Sequence, residues 1–139
     1  MNEIVIKSKV NSTVILDVKI NWEKFESFRG DGILISTPSG STAYSHSLWG
    51  SVIHPTIEAM QVIEKASINN SVFRTLNQSL VLPKNQQLML DFPEPDDNII
   101  VGINGKWYSL NKIKAMKIFV ADEKFNFARY RTFPFWKRE

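Results

Sequence analysis

The amino-acid sequence predicts a mainly β fold, an antiparallel, multi-stranded domain of 139 residues with one short helix. Three observations carry that expectation. Residues 13–20 alternate cleanly, with Val14, Leu16, Val18 and Ile20 on one face and Asp17 and Lys19 on the other, the pattern of a strand with one wet face. In the second half, short apolar runs recur at 79–82, 87–92, 98–103, 116–121 and 124–129, broken by Pro83-Lys84-Asn85, by residues 93–97 and by Asn104-Gly105. Asn104-Gly105 is the strongest short hairpin signal in the chain, since both residues tolerate the positive φ of a type I′ turn.

Taken in order, residues 3–6 form a short apolar-rich strand, followed by the alternating strand over 13–20. Asn21-Trp22-Glu23 reads as a hairpin turn, and residues 24–29 return with Phe25 as their main apolar contribution. Gly30-Asp31-Gly32 punctuates the chain, and glycines on both sides free the backbone to bring Asp31 close to whatever lies opposite. Ile33-Leu34-Ile35 has the composition of a buried strand. It runs into Ser36-Thr37-Pro38-Ser39-Gly40-Ser41-Thr42, a turn-forming cluster that cannot itself be a strand. Ala43-Tyr44-Ser45-His46-Ser47 then opens a short helix. Residues 57–67 fit a helix by the spacing of Ile57, Met60 and Ile63, or a strand at 60–63, and the residues alone do not decide.

The length is one domain's worth, enough to bury a core. With 43% hydrophobic and 22% charged residues, the composition is that of a globular protein and not of a disordered one. No apolar run approaches about 18 residues, which excludes a helical membrane span. The N-terminus lacks the charged-then-apolar form of a signal peptide, so a cytoplasmic location is expected. The absence of cysteine excludes a disulfide framework and a thiolate metal site.

The net charge of +3 is mild and spread along the chain, apart from Arg129, Arg131, Lys137 and Arg138. There the cations mix with Phe127, Tyr130, Phe133, Phe135 and Trp136, a combination that suits single-stranded nucleic acid or a membrane surface. A terminal strand and hook packed on a neighbouring domain or subunit explains the same residues. No nucleic-acid-binding motif accompanies them, so neither nucleic acid nor membrane is expected as a partner.

The stretch from residue 30 to 55 organises the chain. A strand running through a small-residue loop into a helix start leaves N–H groups and hydroxyls pointing at one spot, which suits a phosphate- or ribose-bearing ligand. Turn chemistry alone also selects such loops as plain connections. The particular string goes further. Gly30-Asp31-Gly32, the run STPSGSTAYS at residues 36–45 and His54-Pro55 closely resemble the signature of the NAD kinase family. Asn2-Glu3 resembles its paired Asn-Glu motif. Phe127-Ala128-Arg129-Tyr130-Arg131 with residues 133–138 resembles the ending of its Gram-positive bacterial members.

The resemblance implies the β-sandwich-like C-terminal domain of a two-domain enzyme, as a single domain over residues 1–139, and favours a strand or irregular segment over 57–67. It implies ATP-dependent phosphorylation of the adenosine 2′-hydroxyl of NAD to give NADP. The family's Gly-Gly-Asp-Gly motif, with its catalytic Asp, belongs to the first domain and occurs nowhere in this sequence. No catalytic residue is therefore assigned, the first domain is expected to be absent, and the chain is expected to be inactive alone.

By the same resemblance, Asn2 and Glu3 bind the ribose and diphosphate region of NAD. An amide both donates and accepts, and a carboxylate accepts from two adjacent hydroxyls. Thr42, Ala43, Tyr44 and Ser47 fall on the nucleotide-binding turn, with Tyr44 stacked on a base ring; Ser39 lies on the same loop. Tyr44 would otherwise be half-buried packing. Arg29 and Asp31 correspond to positions that reach a neighbouring subunit's site or the second nucleoside. Otherwise they would form a surface ion pair contributing at most about 1 kcal/mol. Ala66 would offer backbone contacts, and Asn104 is a weaker candidate. His46 and His54 lack an evident third ligand and read as structural. Trp49-Gly50-Ser51 stands where many members have Gly-Gly-Pro or a similar small-residue run, so Trp49 either narrows the cleft or packs at its rim.

The implied partners are NAD and NADP, ATP through the first domain, and further copies of the chain in a dimer or tetramer. Mg²⁺ or another divalent metal is implied with ATP, without protein ligands here. Two other readings stay open. A non-catalytic dinucleotide-binding or oligomerisation module would bind dinucleotide with no need for ATP or Mg²⁺. A lipid kinase relative would share the two-domain layout, but the Thr42-Ala43-Tyr44 turn argues for a dinucleotide.

Overall fold

Two antiparallel sheets face each other across one apolar core in the computed structural model, which describes residues 1–124, 126 and 136. The strands are β1 (Glu3–Ser8), β2 (Val14–Ile20), β3 (Glu23–Gly30), β4 (Gly32–Ser36), β5 (Ala59–Lys65), β6 (Leu80–Pro83), β7 (Leu88–Asp91), β8 (Ile99–Ile103), β9 (Lys106–Leu110) and β10 (Ala115–Ile118). A 3-10 turn (Ser39–Thr42) and the one-turn helix α1 (Tyr44–Ser47) follow β4. The larger sheet has the order β6-β5-β4-β1-β8-β9 and the smaller β10-β7-β2-β3. The expected sandwich-like β domain with one short helix is the observed one.

Alternation explains how the sheets meet. Val14, Leu16 and Val18 on β2 and Leu88 and Leu90 on β7 pack against Ile6, Ile33, Val62 and Ile99 of the larger sheet. The β2–β3 hairpin closes through Asn21 and Trp22, both at positive φ, while Glu23 already pairs with Ile20 in the ladder. Within that ladder Val18 faces Glu26 and Lys19 faces Lys24, leaving Phe25 as the bulged residue. The bulge corrects the sequence expectation. Phe25 is turned outward and exposed, and Phe28 is the fully buried aromatic of β3. The same parity carries Glu26 inside.

The chain crosses between sheets at Gly30-Asp31-Gly32, where neither glycine has a positive φ. What requires a glycine there is close approach: a Cβ on Gly30 would lie 2.7 Å from the Ala66 carbonyl oxygen and from Phe28 Cζ. Residues 59–65 are a strand, paired with β4 from Gly32↔Lys65 to Ser36↔Gln61. Ala59 to Ile63 are all buried, because β5 is covered on both faces, which explains why its apolar residues do not alternate. Asn104 (φ 49) and Gly105 (φ 78) make the expected hairpin turn into β9. The run at 116–121 becomes β10, whereas most of 124–129 and the tail residues Phe127, Arg129, Tyr130, Arg131, Phe133, Phe135, Lys137 and Arg138 lie outside the described residues. Among the described residues no helix is long and apolar enough to cross a membrane.

Candidate functional site

The outer face of the larger sheet carries the site. Strand pairing lays its residues out in rows: Ile63, Leu34, Val5, Gly102 and Trp107 are successive cross-strand neighbours, and Lys65, Gly32, Lys7 and Ile100 form the next row. Glu3 sits two residues before Val5 on the same face of β1. α1 and the loop after it cover the Ile63 end, since a Cβ on Gly50 would touch both Ser45 and Ile63 Cδ1. What stays open is a cleft of about 210 Å³ lined by Glu3, Val5, Lys7, Leu34, Tyr44, Leu48, Lys65, Gly102, Asn104 and Trp107, among others.

Its two ends differ chemically. At one, Glu3 Oε2 is buried without a hydrogen-bond partner among the described residues, beside Asn104, whose Oδ1 accepts the Asn2 N–H at 3.0 Å. At the other, Lys65 Nζ donates to the Tyr44 hydroxyl at 3.3 Å, and Lys7 Nζ sits 4.4 Å from the Trp107 ring centroid. Along β1, Glu3 and Lys7 are about 13 Å apart at roughly 3.3 Å per residue. One elongated ligand could meet both.

The loop that positions Tyr44 is held from below. Thr37 N donates to the Asn2 carbonyl at 3.0 Å, and Thr37 Oγ1 donates to the Met1 carbonyl at 2.8 Å and accepts from Gly40 N at 3.1 Å. Ser41 Oγ accepts the Ile53 N–H at 2.9 Å. Gln61, fully buried on β5, accepts Ser51 N–H at 2.7 Å and donates to Ser51 O at 3.0 Å and Ser45 Oγ at 3.2 Å. Its amide therefore pins α1 and the following loop to the sheet. Gln61→Leu would leave the buried Ser45 hydroxyl without this partner, at about 1–3 kcal/mol, and would remove both bonds to the part-buried Ser51 backbone. We expect urea unfolding to give a loss of roughly 3 kcal/mol, with a loss under about 1 kcal/mol counting against this role.

Of the residues expected at the site, Glu3, Tyr44 and Asn104 line the cleft. Asn2 borders it through its backbone. Ser39, Thr42, Ala43 and Ser47 are exposed on the 3-10 turn and α1, outside the cleft wall; Ser47 Oγ donates to Tyr44 O at 2.7 Å. Arg29, Asp31 and Ala66 gather beyond the lysine end. There Asp31 N–H donates to Lys65 O at 2.9 Å, and Ala66 is exposed at φ 51. The surface ion pair considered for Arg29 and Asp31 is not formed: Arg29 Nε donates to Thr13 Oγ1 at 3.4 Å, and its guanidinium lies 5.7 Å from the Phe73 ring.

Trp49 neither narrows the cleft nor packs at its rim, for it is 94% exposed at positive φ after α1. His54 Nδ1 accepts the Thr56 N–H at 3.3 Å, and its ring is 5.7 Å from that of Trp136. Among the described residues no group of three His, Cys, Asp or Glu side chains is placed to hold a metal ion. Sequence reasoning missed Lys7, Lys65 and Trp107. Lys7 was legible, since β-alternation puts it on the face of Glu3. Lys65 and Trp107 needed the strand register.

Fold and site together define a two-sheet β domain with a polar-ended, aromatic-lined cleft on the outer face of one sheet. The family model for the ATP-NAD kinase C-terminal domain matches residues 1–130, and the chain belongs to that family. It is 48% identical to NAD kinase 1 of Oceanobacillus iheyensis and 49% identical to the NAD kinase of Staphylococcus saprophyticus, in each case over 138 residues, 99% of this chain and 51% of the relative. The chain thus spans about half the length of these curated relatives. The fold is also similar to that of yeast NADH kinase complexed with NADH (TM-score 0.69, 22% identity, 84% of this chain and 34% of that one). An NAD kinase from Archaeoglobus fulgidus in complex with ATP is likewise similar (TM-score 0.70, 22% identity, 87% and 45%).

Proposed function

We propose that this chain is the dinucleotide-binding part of an ATP-dependent NAD kinase, a single domain that works with a first domain carrying Gly-Gly-Asp-Gly. The observation that carries the reading is the cleft, above all the buried, unpartnered Glu3 oxygen at one end and the two lysines at the other. An unpaired buried carboxylate oxygen calls for a donor such as a ribose hydroxyl. Lysines suit the negative charge of phosphates, and Tyr44 offers a ring to a base. The volume is below the roughly 300–1,000 Å³ of typical small-molecule sites, so the cleft holds part of a dinucleotide. The NAD kinase relatives make NAD and NADP the ligands to test first.

With no Gly-Gly-Asp-Gly in its 139 residues, the chain is assigned binding and not proton transfer. The divalent metal of the reaction accompanies ATP in this reading, and Glu3, the one carboxylate among the described residues of the cleft, does not make a site for it. We also propose a homo-oligomer in the cytoplasm, with Arg29 and Asp31 serving a neighbouring copy. Asp31 and Ala66 lie exposed beyond the lysine end, where a neighbouring copy can reach them. Calorimetric titration of the purified chain with NAD and NADP tests the binding role. Saturable binding, weakened about tenfold or more by Tyr44→Ala, is expected; a folded chain that binds neither dinucleotide would overturn it.

A further inference from the structure

We propose that Trp107 is the second aromatic wall of the cleft, on which a planar ring of the bound nucleotide stacks after displacing Lys7. The proposal rests on the nucleotide-binding reading above and adds a residue that the sequence motifs do not contain. Gly102 makes the arrangement possible. A Cβ there would lie 2.8, 2.9 and 3.0 Å from three atoms of the six-membered ring of Trp107, so the indole lies down on the β8 backbone where any other residue would lift it away. Gly102 and Trp107 are directly paired across the β8–β9 hairpin, and Val5 follows Gly102 in the same row toward Leu34.

Trp107 is 49% exposed, and Lys7 Nζ stands over its ring at 4.4 Å from the centroid. An exposed cation–π contact is weaker than stacking of a base on an aromatic ring, so a ligand ring displaces the ammonium. Lys7 is released on the same face as Lys65, at the end of the cleft where it can meet ligand phosphate. A cross-strand aromatic covering a glycine can also serve the hairpin alone, and the test separates the two roles.

The purified chain, Trp107→Leu and Trp107→Phe are titrated with NAD, with adenosine monophosphate and nicotinamide mononucleotide as ring-bearing probes, and with ribose 5-phosphate as a ringless one. Trp107→Leu is expected to weaken NAD and at least one mononucleotide about tenfold while leaving ribose 5-phosphate unchanged. Trp107→Phe is expected to stay within about threefold of the original chain. NAD should quench tryptophan emission, and Trp107→Phe should lose most of that quenching although Trp22, Trp49 and Trp136 remain. Equal NAD affinity in Trp107→Leu, or unchanged quenching in Trp107→Phe, would overturn the stacking role and leave the nucleotide site standing. Equal weakening of ringed and ringless probes, with a lowered melting temperature, would reduce Trp107 to a hairpin support. A folded chain that binds none of the nucleotides would remove the nucleotide reading itself and this role with it.

Discussion

Gly40→Ala is expected to lower stability by about 3 kcal/mol and to weaken NAD binding at least tenfold. The new Cβ would fall inside the envelope of the Asn2 carbonyl oxygen, 2.6 Å from the Asn2 carbonyl carbon and 2.9 Å from its Cα. Both neighbours are backbone, so no side chain can swing aside. Overpacking of this kind typically costs about 1–3 kcal/mol. The displacement also strains the hydrogen bonds from Thr37 N to Asn2 O and from Asn2 N to Asn104 Oδ1, which together hold the loop, the start of β1 and the β8–β9 turn in one place. Urea unfolding and calorimetry would check this. A variant of unchanged stability and affinity would mean that the contact between Gly40 and Asn2 does not fix the site.

The second large effect is a pH dependence set by Glu26. This carboxyl is 9% exposed between the sheets, close to Glu64 of β5. Burial first, and then the hydrogen bond and charge of Glu64, push the Glu26 carboxyl up to about 8, against the Leu76 N–H, which donates to Glu26 Oε2 at 2.9 Å and favours the ionised form. The folded state therefore holds a proton that the unfolded state releases near 4.5. The resulting stability is fully present below about pH 4.5 and is lost as pH rises through about 8. The whole change should be of order a few kcal/mol. Glu26→Gln keeps an acceptor for Leu76 and offers Glu64 a donor that does not titrate. Its unfolding midpoint should be nearly flat from pH 5 to 9 and exceed that of the original chain at pH 9. A slope left unchanged by the substitution would show that the pair does not set it.

Glu26 also shows where sequence reasoning stops. Read as a simple alternation, β3 exposes Glu26, yet the bulge at Phe25 reverses which residues face the core. A one-residue irregularity moves every side chain beyond it to the other face. Residues 57–67 were ambiguous for a related reason. A strand buried on both faces loses its period of two, and the covering of Gln61 and Ile63 comes from α1 and its loop, distant in sequence.

The chain's residues by themselves determined the β class, the Asn104-Gly105 hairpin, the strand–loop–helix at residues 33–47 and the family, because these rest on local turn chemistry, alternation and a contiguous motif. They also singled out Glu3 and Tyr44, which line the cleft. Only the tertiary structure decided that Lys65, Gly102 and Trp107 complete the cleft, that Phe28 and not Phe25 enters the core, and that two carboxyls meet between the sheets. Each of these depends on strand register, on the bulge in the β2–β3 ladder or on the packing of one sheet against the other. Register and packing are set by pairing between strands, and alternation within one strand does not encode them.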